Sequence, residues 1–292
     1  MRGDPEAHML VAPGSLNAVL ELMAREPGAW TPIAGGTELM VAFSAGRLTA
    51  TKLVSLWDVP ELRFIQTNSE RIVIGAGATF LDLRGHAILS AELPLIAKAS
   101  AWIGSVANQC RATLGGNLVN GSPAADSSPA LLVYDAEIEL ISVRGSRRIP
   151  YTEFHTSYKR NAMAADELLY AVHVPRRFAR HRQYIRKVGT RRAMAISKVA
   201  LAGTALLAGG VVSEIRLGAA SLAPFPARLF KSEAALQGRT LTREALIAAR
   251  RELLAEARPI DDIRSTADYR RQVAANLLDE FLIELLGENA RP

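Results

Sequence analysis

Two glycine-rich segments carry the residue types best suited to chemistry. The first is Pro32-Ile33-Ala34-Gly35-Gly36-Thr37-Glu38, between a predicted strand and a predicted helix. Glycines let the backbone approach a pyrophosphate, and N–H groups at a helix start favour anions. A purely structural turn of this composition has an equal claim. The second runs from Thr113-Leu114-Gly115-Gly116-Asn117 through Asn120 to Ser122-Pro123-Ala124-Ala125-Asp126. It concentrates a Gly-Gly pair, hydroxyl and amide side chains and one carboxylate. The amides of Gly115, Gly116 and Asn117 are expected to form an anion nest. Asp126 is expected to accept hydrogen bonds from a ribose or ring hydroxyl. The plainer alternative is a bend before a helix whose first turn holds Asp126 beside the dipole. A third stretch, Ile72-Val73-Ile74-Gly75-Ala76-Gly77-Ala78-Thr79-Phe80, opens like a dinucleotide-binding fingerprint. Phe80 stands where the third glycine belongs and no repeated βαβ context follows, so a strand-to-helix turn beside a neighbouring cofactor is expected instead.

Other chemistries are excluded by what the chain lacks. Its one cysteine, Cys110, can form no internal disulfide and cannot supply the four ligands of an iron–sulfur cluster. The five histidines lack zinc spacing. The Met-Arg-Gly-Asp-Pro-Glu start has no apolar leader core, and the apolar run 199–212 is too short to span a bilayer and is broken by glycines. A cytoplasmic protein without a membrane span is expected. Net charge is +6, and from Leu168 to Ser213 there is no acid. That stretch carries Arg176, Arg177, Arg180, Arg182, Arg186, Lys187, Arg191 and Arg192. Aromatic stacking residues are sparse and no nucleic-acid motif appears, so a solvated or partner-facing arginine surface is expected rather than a nucleic-acid site.

The elements that must position these loops follow from periodicity and punctuation. Ser15 is read as the N-cap of a helix to Arg25 with Val19, Leu22 and Met23 as its stripe. Strands are expected into Ile33, over 52–56, 63–66 and 71–74, with a short helix from Thr37 to Ser44 between the first two. Thr79 and Asp82 have capping-box spacing for a helix to Leu89. Residues 93–103 are read as helical, 111–118 as glycine-interrupted, and Pro123 as the start of a helix to Val133. A hairpin is expected around Arg144-Gly145, with further strands over 167–174, 183–188, 196–208 and 212–220. Helices over 242–257 and 267–286 close the chain. The last carries Tyr269, Val273, Leu277, Phe281 and Leu285 at i, i+4 spacing. The pattern is α+β, with a boundary near Pro175 to Arg182.

Taken in order, these segments resemble the flavoprotein (medium) subunit of the xanthine dehydrogenase and carbon monoxide dehydrogenase group, the molybdenum hydroxylases. The two glycine-rich loops resemble that family's FAD loops. Glu167-Leu168-Leu169 with Val174-Pro175 is similar to its segment beside the flavin ring. Lys187 with Ile196-Ser197-Lys198-Val199 resembles the start of its C-terminal domain, and Pro259-Ile260-Asp261-Asp262 with Ala267-Asp268-Tyr269-Arg270-Arg271 its closing signature. Asn108-Gln109-Cys110 departs from a family stretch that is often more basic. The resemblance implies a two-subdomain FAD-binding fold of the vanillyl-alcohol-oxidase type and a smaller α+β C-terminal domain, over 1–56, 57–178 and 179–292. It implies that Pro32, Ile33, Ala34, Gly35, Gly36, Thr37 and Glu38 wrap the pyrophosphate. Thr113, Gly115, Gly116, Asn117 and Asn120 would complete the phosphate and ribityl contacts, and Asp126 would bind the adenosine or ribityl end. Leu168 and Leu169 would pack beside the isoalloxazine with Ile103 on its other face, and Lys187 would stand near its polar edge.

The resemblance also implies a role. A large partner subunit would carry the molybdenum cofactor and a small one two [2Fe–2S] clusters. This chain would hold non-covalent FAD, since none of the matched loops carries a linking histidine, and would pass electrons to an external acceptor. Oxygen, NAD⁺ and a quinone all remain open as that acceptor, as does the pairing of heterotrimers into a dimer. No catalytic acid or base and no metal site is expected on the chain itself. Three alternatives stand beside this reading: a free-standing flavin oxidase or reductase of the same fold, a nucleotide-binding module without redox activity, and a basic nucleic-acid binder.

Overall fold

The computed structural model describes residues 3–191 and 193–289. Met1, Arg2 and Arg192 of the sequence reading lie outside the described residues. The chain begins with β1 (Met9–Val11), α1 (Leu16–Arg25), β2 (Thr31–Ile33), α2 (Leu39–Ser44) and β3 (Lys52–Ser55). The strands form a parallel sheet in the order β1-β3-β2, with Leu53 between Leu10 and Thr31. The Ser15 hydroxyl accepts from the Ala18 N–H at 3.3 Å and starts α1. The helix buries Val19, Leu20 and Met23 against Trp30, Val54, Val59 and Leu62.

Next come β4 (Ile65–Thr67), β5 (Arg71–Gly75), α3 (Phe80–Gly85), α4 (Ala87–Glu92), α5 (Pro94–Ser100), α6 (Val106–Arg111), α7 (Leu114–Val119) and α8 (Ser128–Val133). They lead into β6 (Glu137–Ser142), β7 (Gly145–Pro150), the small hairpin β8 (His155–Ser157) and β9 (Arg160–Asn161), and β10 (Leu168–Pro175). Five of these strands make an antiparallel sheet, β4-β5-β10-β6-β7. In β6, Ile138, Leu140 and Ser142 are buried and the residues between them only partly so, the alternation of a sheet with one covered face. Ile138 and Leu140 enter the largest core with Ile72, Ile74, Val172 and Val174, under helices α3 to α8.

Several boundaries differ from expectation, each for a local reason. The Thr79–Asp82 capping box is present, but its helix ends at Gly85, because the His86 ring accepts from the Leu89 N–H at 3.4 Å and caps a new helix. The helix expected at Pro123 starts at Ser128. Residues 123–127 turn instead, with Ala124 and Ala125 bonded back to Ser122 and the Pro123 carbonyl taken by the Ser221 N–H. The stretch read as glycine-interrupted is helical on both sides of Ala112: α6 starts from a Ser105–Asn108 capping box and α7 from Thr113.

The remainder holds β11 (Arg182–Val188), β12 (Val199–Ala208), β13 (Val211–Ala220), β14 (Ala227–Arg228), α9 (Phe230–Leu236), α10 (Arg243–Glu256) and α11 (Ala267–Asn289). Its antiparallel sheet runs β11-β12-β13-β14. Val199 to Ala205 are all buried, because both faces of β12 are covered. From one side the Thr204 hydroxyl donates to the Val133 carbonyl of α8 at 3.2 Å. On the other, Phe281 of α11 stacks on Tyr184 at 5.2 Å and crowds Gly203, where a Cβ would lie 2.4 Å from the ring. The C-terminal sheet is therefore seated on the helical layer of the preceding segment.

The basic stretch is in part the solvated or partner-facing surface expected of it, with Arg180, Arg182, Arg186 and Arg191 exposed, but its first arginines are drawn into ion pairs. Arg176 holds Glu92 with two bonds of 2.6 and 2.7 Å, and Arg177 bridges Asp135 and Glu214, both at 2.6 Å. Arg216 and Arg228 converge on the same Asp135. Arg176, Arg177, Arg216 and Arg228 thus each join one segment to another. No helix among the described residues is long and apolar enough to cross a membrane.

Candidate functional site

A cavity of about 500 Å³ lies where the first sheet meets the second segment. The size suits a cofactor. One wall is residues 31–39, running from β2 into α2. Gly36 turns this loop with a φ of +74°, a conformation glycine adopts without strain. The N–H groups of Gly35, Gly36, Thr37 and Glu38 have no protein acceptor among the described residues. Consecutive unsatisfied amides of this kind make an anion-binding concavity.

The facing wall comes from α7 and the turn before it. Its amides are not the nest that the sequence suggested. The Gly115 N–H donates to the Ala76 carbonyl at 2.9 Å, Gly116 to the Thr113 hydroxyl at 3.1 Å and Asn117 to the Thr113 carbonyl at 3.0 Å. Helix capping and a bond to the Ala76 turn consume all three. What this wall offers is shape and side chains. Gly116 is exposed to the cavity, and a Cβ there would meet only the Thr113 hydroxyl within 4 Å. The Asn117 side-chain oxygen accepts from Ser127 at 2.7 Å, which fixes the amide and leaves its NH₂ for a ligand.

The two walls interlock. A Cβ on Gly35 would sit 1.7 Å from the Arg111 carbonyl oxygen, and a Cβ on Gly115 2.9 Å from that of Ala76. Glycines 35 and 115 therefore let backbones touch, whereas Gly116 leaves room for a ligand. Gly75 and Gly77 of the false fingerprint pass the Leu62 carbonyl just as closely, and Ala76 and Gly77 line the cavity. Trp30, Leu56, Leu62, Leu168, Leu169 and Ile103 give it an extended apolar lining.

Its charged lining residues are two carboxylates, Glu38 and Glu167. Each has a cation outside the wall. Lys159, at the tip of the β8–β9 hairpin, stands 3.7 Å from Glu38. Arg147 grips Glu167 with bonds of 2.7 and 2.8 Å and holds that carboxyl below the usual range.

All the predicted residues line this one cavity except Asp126 and Lys187. Those two pair with each other at 2.5 Å, nearly buried, and the Ser197 hydroxyl completes the cluster by donating to Asp126. Burial pushes the Asp126 carboxyl up from its ordinary range, against the pull of Lys187 and Ser197. Lys187 also donates to the Trp102 carbonyl at 3.3 Å, next to Ile103 in the lining. Sequence reasoning missed Trp30, Leu56, Asn161 and Met163. Asn161 and Met163 lie at and just after β9, a hairpin too short to show a period, and Trp30 carries no motif.

Comparison with known proteins bears on what the cavity holds. Residues 6–177 match the family model described as the FAD binding domain in molybdopterin dehydrogenase. Residues 184–285 match the CO dehydrogenase flavoprotein C-terminal domain. The chain is 30% identical over 275 residues to the xanthine dehydrogenase FAD-binding subunit of Escherichia coli O157:H7, covering 94% of each. It is 28% identical to the carbon monoxide dehydrogenase medium chain of Hydrogenophaga pseudoflava, covering 93% of this chain and 94% of that one. A solved carbon monoxide dehydrogenase from Hydrogenophaga pseudoflava contains a chain that superposes with a TM-score of 0.90 at 27% identity, over 95% of this chain and 96% of that one.

Proposed function

The chain belongs to the family of FAD-binding subunits of molybdopterin dehydrogenases, and we propose that within such a complex it relays electrons from iron–sulfur clusters of a partner to an external acceptor. The observation that carries this reading is the unsatisfied amide row at Gly35 to Glu38, set against Gly116 across a cavity with a long apolar lining. A dinucleotide has both parts that such a site accepts: a doubly charged pyrophosphate and flat rings. The fit is good. Residues 32–38 would take the pyrophosphate, with Thr113, Gly115 and Gly116 closing over it. Asn117 and Asn120 would bond the ribityl and ribose hydroxyls. Leu168, Leu169 and Ile103 would pack the flavin ring. Asp126 and Lys187 would act from behind the wall, Lys187 through the Trp102–Ile103 turn.

A bound flavin supplies redox chemistry that accepts electrons singly or in pairs. The residues of this chain bind and orient it and keep water from its apolar sides. Among the described residues the two ionisable lining residues are already ion-paired, and no His, Tyr or Lys lines the cavity. That favours a relay over a free-standing oxidase, which needs its own base at the ring. Large molybdenum and small [2Fe–2S] subunits as partners, and their pairing into a dimer of heterotrimers, belong to the same proposal. So do a division at 1–56, 57–178 and 179–292, in keeping with the three main sheets, and a cytoplasmic location, in keeping with one unpaired cysteine.

The test is a visible spectrum of the purified chain, with acid release of any chromophore, followed by rapid mixing of the whole complex with its reducing substrate. Released FAD, reduced only when the iron–sulfur subunit is present, is the expected result. Reduction of the flavin by substrate in the isolated chain would overturn the relay.

A further inference from the structure

The cavity wall has an uneven charge balance. Both of its carboxylates are matched, Glu38 by Lys159 and Glu167 by Arg147. Among the described residues the lining contains no cation, although the ligand proposed for it carries two negative charges. One nearby cation has only neutral partners. Arg111 closes α6, two residues before Thr113. Its guanidinium carbon lies over the Trp57 ring, 3.7 Å from the centroid, and its Nε reaches the Gly35 carbonyl at 3.4 Å. No carboxylate lies within ion-pair distance of it among the described residues. Its own carbonyl is the atom that forbids a side chain on Gly35. Arg111 thus touches the first wall through Gly35 while ending the helix that leads into the second, and it stands with Trp57 just behind the lining.

We propose that Arg111 is a positioning residue for the FAD pyrophosphate, its unmatched charge held at the junction of the two glycine loops by the face of Trp57. This rests on the FAD reading above. The stack matters because a free arginine side chain samples many rotamers and its charge is averaged over solvent. On an aromatic face the planar guanidinium is fixed, keeps its charge and forms no ion pair that would cancel it. The Gly35 carbonyl, polarised by that charge, is held in the orientation that turns the following amides toward the cavity. Screening is strong beyond about 8 Å at physiological salt, so the effect is expected to be salt-sensitive.

The experiment strips the full-length chain of flavin and titrates it with FAD, and separately with riboflavin, which lacks both phosphates, at low and high salt. Arg111→Met is expected to raise the Kd for FAD roughly tenfold at low salt, to leave riboflavin unchanged and to flatten the salt dependence. Arg111→Lys should recover the salt dependence but only part of the affinity, because an ammonium does not stack as a plane. Trp57→Leu frees the guanidinium and should cost about threefold for FAD alone. It also serves if the methionine variant fails to fold. An FAD affinity within twofold of wild type in Arg111→Met, an equal loss for riboflavin or an unaltered salt dependence would each overturn the proposal while leaving the flavin site standing. A wild-type chain that takes up no FAD would instead overturn the reading on which it rests.

Discussion

At the scale of single residues, the glycines divide into two kinds that look alike in sequence. Gly35 must be glycine because the Arg111 carbonyl occupies the place of its Cβ, at 1.7 Å. Gly35→Ala is expected to part the two loops, costing about 2–4 kcal/mol of stability together with flavin retention. Thermal unfolding and the flavin-to-protein absorbance ratio measure both losses. Gly116→Val crowds the Thr113 hydroxyl, 3.0 Å from the added Cβ, and should cost less stability than Gly35→Ala while reducing flavin retention; full occupancy in that variant would remove Gly116 from the site. Buried histidines weaken the fold on the acid side, His155 and His181 among them, both pushed down by burial. His155 is buried among Tyr151, Phe154 and Phe225, with one ring nitrogen lacking a partner. Burial pushes its imidazole down to about 4. An exposed histidine in the unfolded chain titrates near ~6.5. Between those values the unfolded chain binds a proton that the folded chain refuses, so stability falls as pH drops through that window. For His155 alone, the unfolding free energies from urea titrations at pH 7 and at pH 4.5 should differ by on the order of 2 kcal/mol, and His155→Gln should remove that share.

At the scale of elements, the chain's punctuation was more legible than its continuity. The caps at Ser15 and Thr79 could be read because a hydroxyl three residues before an amide acts locally. Thr79→Ala should cost about 1 kcal/mol, seen as a fall of a few degrees in Tm. The breaks at His86 and between Pro123 and Ser128 were illegible, since a ring nitrogen serving as a cap and a carbonyl claimed by Ser221 depend on tertiary neighbours. The same physics reversed the expectation for Gly115, Gly116 and Asn117. Their amides looked available in sequence, but capping and the Ala76 carbonyl took them. The residues of the site were therefore largely readable, while the way in which each would contribute was not.

At the scale of the whole molecule, charge serves mainly as internal wiring. Three arginines from distant parts of the chain meet at Asp135, itself at a φ of +48° just after α8. Asp135→Asn leaves those guanidiniums facing a neutral amide, and a loss of about 1–3 kcal/mol is expected by denaturant unfolding. The Asp126–Lys187 pair joins the same two parts from within. Either Asp126→Asn or Lys187→Met alone strands a buried charge, at a cost of about 3–5 kcal/mol, and the double variant should lose less than the sum of the two.

The double coverage of β12 also bears on how the protein is made. Synthesis delivers α8 before the C-terminal sheet, so one face of that sheet can dock as it leaves the ribosome. The other face waits for α11, the last helix in the chain, and until then the Gly203 seam and Tyr184 lack the cover of Phe281. A nascent chain paused within α10 would display an open apolar sheet to the crowded cell. Chains terminated before Ala267 should consequently be recovered as aggregates or bound to chaperones, whereas chains that lose only the final turn of α11 should remain in solution.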